Sequence, residues 1–450
     1  MPASARFISS IQADVRETGF MNILVIGSGG REHALVWAIG KSMRRQLKLY
    51  CAPGNAGIAQ VAECVPTDAT DVSGLARFAE EMRIDLTVVG GEAPLAAGIV
   101  DEFERRSLPI AGASRQAAQL ESSKAFAKDF MARHNIPTAR YRIADSATQA
   151  REILRSGEFG AADSAVVVKA DGLAAGKGVV VARSIMEAEG AVEDLMERGS
   201  VGMDAARRVV IEEALEGREA SLLLFADGRD YALMPAARDH KRVGENDTGP
   251  NTGGMGAITA PNVLDDATLN QVVREIVEPT LDGACSEGLR FRGVLFVGLM
   301  LTMKGPRVLE YNVRFGDPEA QAILVRLRTD LVDVFEAVAR GHLGSVPVEW
   351  TAESSACVVM AARGYPARPE TGAHIQGLER AAEHQGVQIF HAGTSRTPDG
   401  EWLTAGGRVL GVTATAQTLE RALGRCYDAV SEIQWDGMHY RRDIGRFREK

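Results

Sequence analysis

An α/β protein is predicted, with an open parallel sheet at the N-terminus, a central unit and a small closing α/β domain. Three observations predict it. Apolar runs at residues 23–26, 47–50 and 84–89 each end in a glycine or proline turn, as buried parallel strands do where they feed helices. A glycine-rich loop separates the apolar run 165–169 from another that starts at Val179. A longer run, 294–303, turns at Lys304-Gly305-Pro306 and returns as Leu309-Glu310-Tyr311-Asn312-Val313-Arg314-Phe315-Gly316-Asp317-Pro318-Glu319, the pattern of a hairpin.

A chain of 450 residues has room for about three domains, each large enough to bury its own core. Apolar content of 45%, charge of 25% and 47 glycines exclude fibrous and disordered classes. The net charge of -9, without any run of Lys and Arg interleaved with aromatics, argues against a nucleic-acid partner. Anionic ligands must then be held by local clusters. Cys51, Cys64, Cys285, Cys357 and Cys426 are far apart and form no C-x-x-C pair. They suggest neither a zinc site nor a disulfide framework, and fit buried thiols in a reducing cytoplasm. No apolar run is long enough to span a membrane, and residues 1–20 lack the apolar core of a secretory signal. Those residues are expected to form a flexible tail, with a weak organellar transit peptide as the alternative. Met21, directly before a strand, is a candidate initiator, and a chain starting there is expected to fold normally.

In the first unit, Gly27-Ser28-Gly29-Gly30-Arg31-Glu32-His33 carries the first strand into a helix expected to begin near Ala34. Backbone N–H groups at such a helix start bind phosphate. A dinucleotide fingerprint needs Gly or Ala where Glu32 stands and an acid closing the next strand, where Leu47-Lys48-Leu49-Tyr50 offers none, so the NAD reading is poor. The turns Pro53-Gly54-Asn55-Ala56-Gly57 and Gly90-Gly91-Glu92-Ala93-Pro94 close the other two strands. Together the three turns would meet at the carboxyl edge of one sheet, a seat for a small phosphorylated ligand. The alternative is a set of ordinary strand-to-helix connections.

A helix from about Ser122 to His134 ends at Ile136-Pro137-Thr138, which places a boundary near Leu120. The loop Ala170-Asp171-Gly172-Leu173-Ala174-Ala175-Gly176-Lys177-Gly178 resembles a Walker loop only superficially. It has three residues instead of four between Gly172 and Gly176, Gly178 replaces the Ser or Thr, and it leads into a strand. A glycine hairpin folding over a triphosphate, with Lys169 on the preceding strand reaching the phosphates, fits better. The connector after the strand 208–213 is a natural adenine hinge, with Glu212 and the Leu215 backbone facing the base and Glu219 the ribose. Residues 239–256 are expected to be the longest structureless stretch, a length that is usually functional. His240 there has no partner at metal-ligand spacing and is read as structural or as a substrate contact. A helix over 264–286 leads to the return strand. On that strand, residues two apart share a face, so Glu310 and Asn312 place two oxygens side by side with the Arg314 guanidinium just beyond. Mg²⁺ prefers oxygen ligands and completes its shell with water and phosphates, so this pair suits a nucleotide-borne metal. An exposed edge strand with scattered polar residues is the alternative. Residues 330–340 read as a helix, and strands near 355–362, 388–392 and 408–414 form the closing domain, whose chemistry is not legible.

The motifs at 27–33, 53–57, 90–95, 169–178, 239–256 and 310–319 together resemble those of glycinamide ribonucleotide synthetases, the phosphoribosylamine–glycine ligases of the ATP-grasp superfamily. The resemblance runs from Met21 nearly to the C-terminus. It implies a central two-part ATP-grasp fold and these limits: an extension at 1–20, a substrate domain at 21–122, the ATP-grasp domain at 123–345 with its glycine-loop lobe at about 140–213, and a C-terminal domain at 346–450. It implies ADP-forming ligation of glycine to 5-phosphoribosylamine through glycyl phosphate, a step of purine biosynthesis. Carried onto this chain, it implies Mg²⁺ or Mn²⁺ on Glu310 and Asn312, and ATP held by Lys124, Lys169, Gly176, Lys177, Glu212, Leu215 and Glu219. Arg314, Asp317 and Asp239 are implied to orient glycine and the acyl phosphate, and Gly29, Gly30, Asn55 and Glu92 to line the phosphoribosylamine site. A cytoplasmic monomer acting on small molecules, with no nucleic acid or membrane partner, is expected. Two departures stand out: the family has Pro where this chain has Gly91, and residues 1–20 have no counterpart in typical bacterial members. The rival readings are an ATP-grasp ligase using another carboxylate, such as bicarbonate or formate, and a nucleotide-sensing protein without turnover.

Overall fold

Ile23, Leu24, Val25 and Ile26 are wholly buried because both faces of their strand are covered, which is why the run is continuous rather than alternating. In the computed structural model, which describes residues 19–174 and 176–447, this strand, Met21–Gly27, pairs in parallel with Leu47–Pro53 and with Leu86–Val89. Ile110–Ala113 extends the same parallel sheet. The three glycine turns therefore do lie at one carboxyl edge. Of the N-terminal extension, residues 1–18 fall outside the described residues.

The first helix is Gly30–Gly40, so it starts earlier than the expected Ala34. Glu32 explains the difference: its Oε2 accepts the Gly29 N–H at 2.6 Å, so a residue taken for part of a turn caps the helix from its own first turn.

The sheet continues beyond the first unit, which the sequence did not announce. Phe291 and Arg292 pair antiparallel with Ala113 and Gly112, and the hairpin Phe291–Thr302 and Gly305–Asn312 joins there. From Phe291–Thr302 the order runs through Arg218–Ala226, Ala237–Asp239, Gly256–Thr259, Ser354–Ala361 and Arg408–Ala416 to Val387–His391, making one 14-stranded sheet. Close approach at the seam needs glycine: a Cβ on Gly293 would lie 3.1 Å from the Gly112 Cα. A second sheet of four antiparallel strands, Tyr141–Ala144, Val209–Glu213, Val166–Ala170 and Val179–Ala182, stands apart over its own core around Leu154, Val168 and Ile211. This is the lobe that carries the glycine loop, and it makes the central unit two-part.

Residues 239–256 are not structureless. Arg242–Gly244 pairs with Thr248–Asn251 as a small hairpin, closed where Asn246 and Asp247 take φ of 57° and 55°. Strands of three and four residues that face solvent leave no alternation to read. The C-terminal residues strap this hairpin down. Arg441, fully buried, donates to Asp247 Oδ1 at 2.9 Å and to Asp443 Oδ2 at 2.8 Å. His240 Nε2 accepts the Gly445 N–H at 2.9 Å, and its ring stacks on Phe447 at 4.3 Å. His240 is thus structural. The thiol expectation holds for Cys51, Cys357 and Cys426, whereas Cys64 is half-buried and Cys285 exposed. Among the described residues no helix is long and apolar enough to cross a membrane.

Where the closing strand Val387–His391 meets the first helix, two histidines interlock. His33 Nδ1 accepts the His391 N–H at 2.8 Å, and the Asn55 amide donates to His391 O at 3.0 Å. Burial pushes His33 down to about 4, and burial with the neighbouring His33 pushes His391 down to about 3. Both sit below the ordinary 6.5, so their contribution to stability is present above pH 6.5 and is lost as pH falls toward 4. Each imidazole then costs about 1.4 kcal/mol per pH unit. The thermal midpoint is expected to fall between pH 7 and 5.5, and less steeply in His33→Asn, whose Oδ1 accepts the same N–H without titrating. Equal slopes in the two proteins would acquit the imidazole.

Candidate active site

The carboxyl edge of the parallel sheet opens into a cleft of about 260 Å³ lined by Gly27, Gly29, Arg31, Gly91, Glu92 and Asp317. Glu32 lies beneath it and fills the space that a side chain at Gly27 or Gly90 would need. The Gln321 amide similarly leaves Gly30 no room for a Cβ, which would lie 2.6 Å from Nε2. Gly29 lines the cleft, whereas Gly30 is buried at the helix start. Asn55 is placed differently from the expectation. Its amide donates to Ser28 O at 2.7 Å and His391 O at 3.0 Å, and its Oδ1 accepts from Gly57 and Ile58 at 2.8 and 2.9 Å. That side chain shapes the turn and clasps the closing domain, with no group left for a ligand.

Glu92 and Arg314 join this cleft to the return strand. Arg314 Nε donates to Glu92 Oε2 at 3.1 Å, while its Nη2 reaches Glu121 Oε1 at 2.7 Å and Asn312 Oδ1 at 3.1 Å. Burial opposes the charge on Glu92, but Arg314 and Arg31 outweigh it and hold the carboxyl down to about 2. Asp317 is also held below its ordinary range: burial opposes, and Arg408 and Arg31 prevail. Arg408, from the closing domain, donates to Asp317 Oδ2 at 2.9 Å.

On the other side of the return strand a seam runs between the two lobes. Lys169 Nζ donates to Leu309 O at 3.1 Å and forms an ion pair with Glu212 Oε1 at 2.9 Å. Glu212 Oε2 lies 3.0 Å from Lys128 Nζ, which also donates to Thr138 Oγ1 at 2.7 Å. Glu212 is 2% exposed and faces these ammonium groups. Lys124, one helical turn before Lys128, points its Nζ to Gly172 O at 3.3 Å. Leu215 lies in the connector between Val209–Glu213 and Arg218–Ala226. Gly176, with φ of 77°, and Lys177 stand exposed at the loop tip, where a Cβ on Gly176 would lie 3.4 Å from Thr252 O. The strand pairing of Val166–Ala170 with Val179–Ala182 makes that loop the expected antiparallel hairpin.

Around Glu310 the carboxylates gather. Partial burial opposes its ionisation, but Lys241, Lys169, Lys124 and Arg314 together hold its pKa below the ordinary value. Burial and the charge of Asp239 push Glu319 up to about 8. Asp239 is raised by burial and by Glu219 and Glu310, against the pull of Lys241. An ionised carboxylate and an amide oxygen suit a hard divalent cation. Among the described residues, no group of three or more His, Cys, Asp or Glu side chains is disposed to hold a metal. Glu310 and Asn312 would therefore supply part of a shell that phosphate oxygens and water complete.

Comparison with known proteins agrees with this layout. Residues 21–121, 122–320 and 355–447 match, in turn, the N domain, the ATP-grasp (A) domain and the C domain of phosphoribosylglycinamide synthetase. The chain belongs to the phosphoribosylglycinamide synthetase family. It is 48% identical over 425 residues to a phosphoribosylamine–glycine ligase of Brucella melitensis, covering 94% of this chain and 97% of that one. The Caldanaerobacter subterraneus ligase is 45% identical, with 94% and 99% covered. The crystal structure of the Thermotoga maritima phosphoribosylamine–glycine ligase superposes with a TM-score of 0.80 at 34% identity, covering 94% of this chain and 99% of that one. A biotin carboxylase of Campylobacter jejuni, 15% identical with a TM-score of 0.69 and with 94% and 93% covered, shares the fold.

Against the family pattern, Gly91 caps the helix Glu92–Ala97 with φ of −106°, roughly 40° more negative than the angle proline favours. An added Cβ would also lie 3.2 Å from Arg31 Nη2. Gly91→Pro is therefore expected not to tighten the cleft, contrary to what a proline-compatible angle would imply. Sequence reasoning missed Lys128, Lys241, Glu121 and Arg408. Lys128 was findable, since it follows Lys124 at the i+4 spacing of one helix face. The others are brought in from distant segments.

Proposed function

We propose that this chain is an ATP-dependent ligase that joins glycine to 5-phosphoribosylamine, giving glycinamide ribonucleotide, ADP and phosphate in purine biosynthesis. One observation carries the reading: a single guanidinium, Arg314, touches both Glu92 at the phosphorylated-ligand edge and Asn312 at the metal pair. The amine and the phosphoryl group are thereby brought to adjoining places. The glycine carboxylate attacks the γ-phosphorus of ATP, ADP leaves, and the resulting glycyl phosphate is attacked by the phosphoribosylamine nitrogen, which loses a proton as phosphate departs. Lys124 and Lys169 bear on the phosphates as point charges, and the glycine hairpin excludes water from an intermediate that would hydrolyse. Leu215 and Glu219 take the base and ribose, whereas Glu212 acts by holding Lys169. Arg314, Asp317 and Asp239 orient glycine, and Gly29, Gly30 and Glu92 the phosphoribosylamine. Mg²⁺ or Mn²⁺ on Glu310 and Asn312 would neutralise charge that develops on the phosphates.

The same reading assigns residues 21–122 to the amine, 123–345 to ATP and glycine and 346–450 to closure, in a cytoplasmic monomer. The ligase activity is supported by relatives named phosphoribosylamine–glycine ligases that match nearly the whole chain. The test is a coupled ADP-release assay. ADP is expected only when glycine and phosphoribosylamine are both present for sustained turnover; release driven by bicarbonate or formate, or none at all, would overturn the assignment. In that assay Gly91→Pro should leave the KM for phosphoribosylamine unchanged or raised, and a clear fall would refute the backbone argument.

A further inference from the structure

Lys241 stands between Glu219 and Glu310, the one carboxylate of the proposed metal pair. Its Nζ lies 3.3 Å from Glu219 Oε2 and 4.0 Å from Glu310 Oε1, with Asp239 and Glu319 also acting on it. The loop holds it there. Thr252 donates twice to the Lys241 carbonyl, through its N–H and its Oγ1, each at 2.8 Å, and the Gly254 N–H donates to Thr252 Oγ1 at 2.9 Å. On the other side, the His240 backbone exchanges hydrogen bonds with Gly256 O at 2.9 Å and Met255 N at 2.8 Å. Its ring is fixed by Gly445 and Phe447 of the C-terminal strap. The backbone that carries Lys241 is therefore held from both flanks, while the side chain is left free to swing.

We propose that Lys241 is a built-in cation that neutralises the acidic pocket of the nucleotide-free protein, so that a divalent ion enters only together with nucleotide phosphates. Two cations sharing one carboxylate repel each other, and a metal arriving alone meets Lys241 beside Glu310. Nucleotide phosphates bring enough negative charge to draw the ammonium away and to complete the metal shell. The inference rests on the metal role of Glu310 given above, but its test uses no glycine, amine or turnover, so it can fail while the ligase reading stands.

The experiment is titration of Mn²⁺ into nucleotide-free protein, followed by the six-line electron paramagnetic resonance spectrum of the free ion. Lys241→Gln is expected to bind Mn²⁺ roughly tenfold or more tightly than the wild type. Lys241→Arg keeps the charge and should behave as the wild type, and Lys241→Gln with Glu310→Gln should lose the gain. Equal affinity in wild type and Lys241→Gln, a gain in Lys241→Arg, or a gain that survives Glu310→Gln would each overturn the proposal. So would nucleotide-free wild type that binds Mn²⁺ as tightly as protein with ADP, a reading that no folding defect can affect.

Discussion

Glu310→Ala is expected to lower kcat by roughly 10²–10³-fold or more while leaving the protein folded. Glu310 pairs with Asn312 on one strand face and is kept ionised by Lys241, Lys169, Lys124 and Arg314. It is the one full charge of the proposed metal pair. Its side chain is 37% exposed, so water screens the ammonium groups left behind and the stability cost should be small. Asn312→Ala should do less, because it removes a neutral oxygen, though it also takes from Arg314 the acceptor at 3.1 Å. Its signature is a higher Mg²⁺ requirement with a smaller loss of kcat. Mg²⁺ titrations of turnover in both variants decide the matter. A Glu310→Ala enzyme with wild-type kcat and Mg²⁺ dependence would take these residues out of the site.

How much of this was legible before the fold depended on distance along the chain. Glu310, Asn312 and Arg314 lie within one strand and its exit, so the two-residue period alone puts them together. The three glycine turns were legible because parallel strands share a direction, and the turn after each falls at the same edge. Glu212 was placed on the right strand with the wrong neighbour. Nothing local says that the facing groups are Lys128 and Lys169 from a helix and another strand. Lys241 and Arg408 were invisible for the same reason: each reaches its carboxylate across more than a local turn, Lys241 to Glu310 and Arg408 to Asp317. The single sheet was hidden because its seam at Phe291 and Arg292 is a two-residue pairing between strand edges, and pairing partners leave no trace in periodicity.

That misplaced neighbour yields the second large effect. Glu212 is 2% exposed and is held between Lys128 at 3.0 Å and Lys169 at 2.9 Å. Burial pushes Lys128 down to about 8, with Glu212 pulling the other way. In Glu212→Ala two buried ammonium groups face each other without a counter-ion, a change that typically costs about 3–5 kcal/mol. The loss should appear as a large fall in the urea midpoint, together with weaker ATP binding by calorimetry, since Lys169 loses its ion pair and keeps only its hydrogen bond to Leu309 O. Lys128→Met supplies the contrast. It leaves one cation with one anion and keeps Thr138 hydrogen-bonded to Val308 O at 2.6 Å, so its stability cost should be clearly smaller. Combining Lys128→Met with Glu212→Gln should recover part of the loss seen in Glu212→Ala, because a single buried charge then remains instead of two. An adenine hinge predicts another pattern, with unchanged stability in Glu212→Ala and weakened preference for ATP over GTP. A folded Glu212→Ala with the wild-type urea midpoint would therefore return Glu212 to the base and leave the lysines to be explained by other partners.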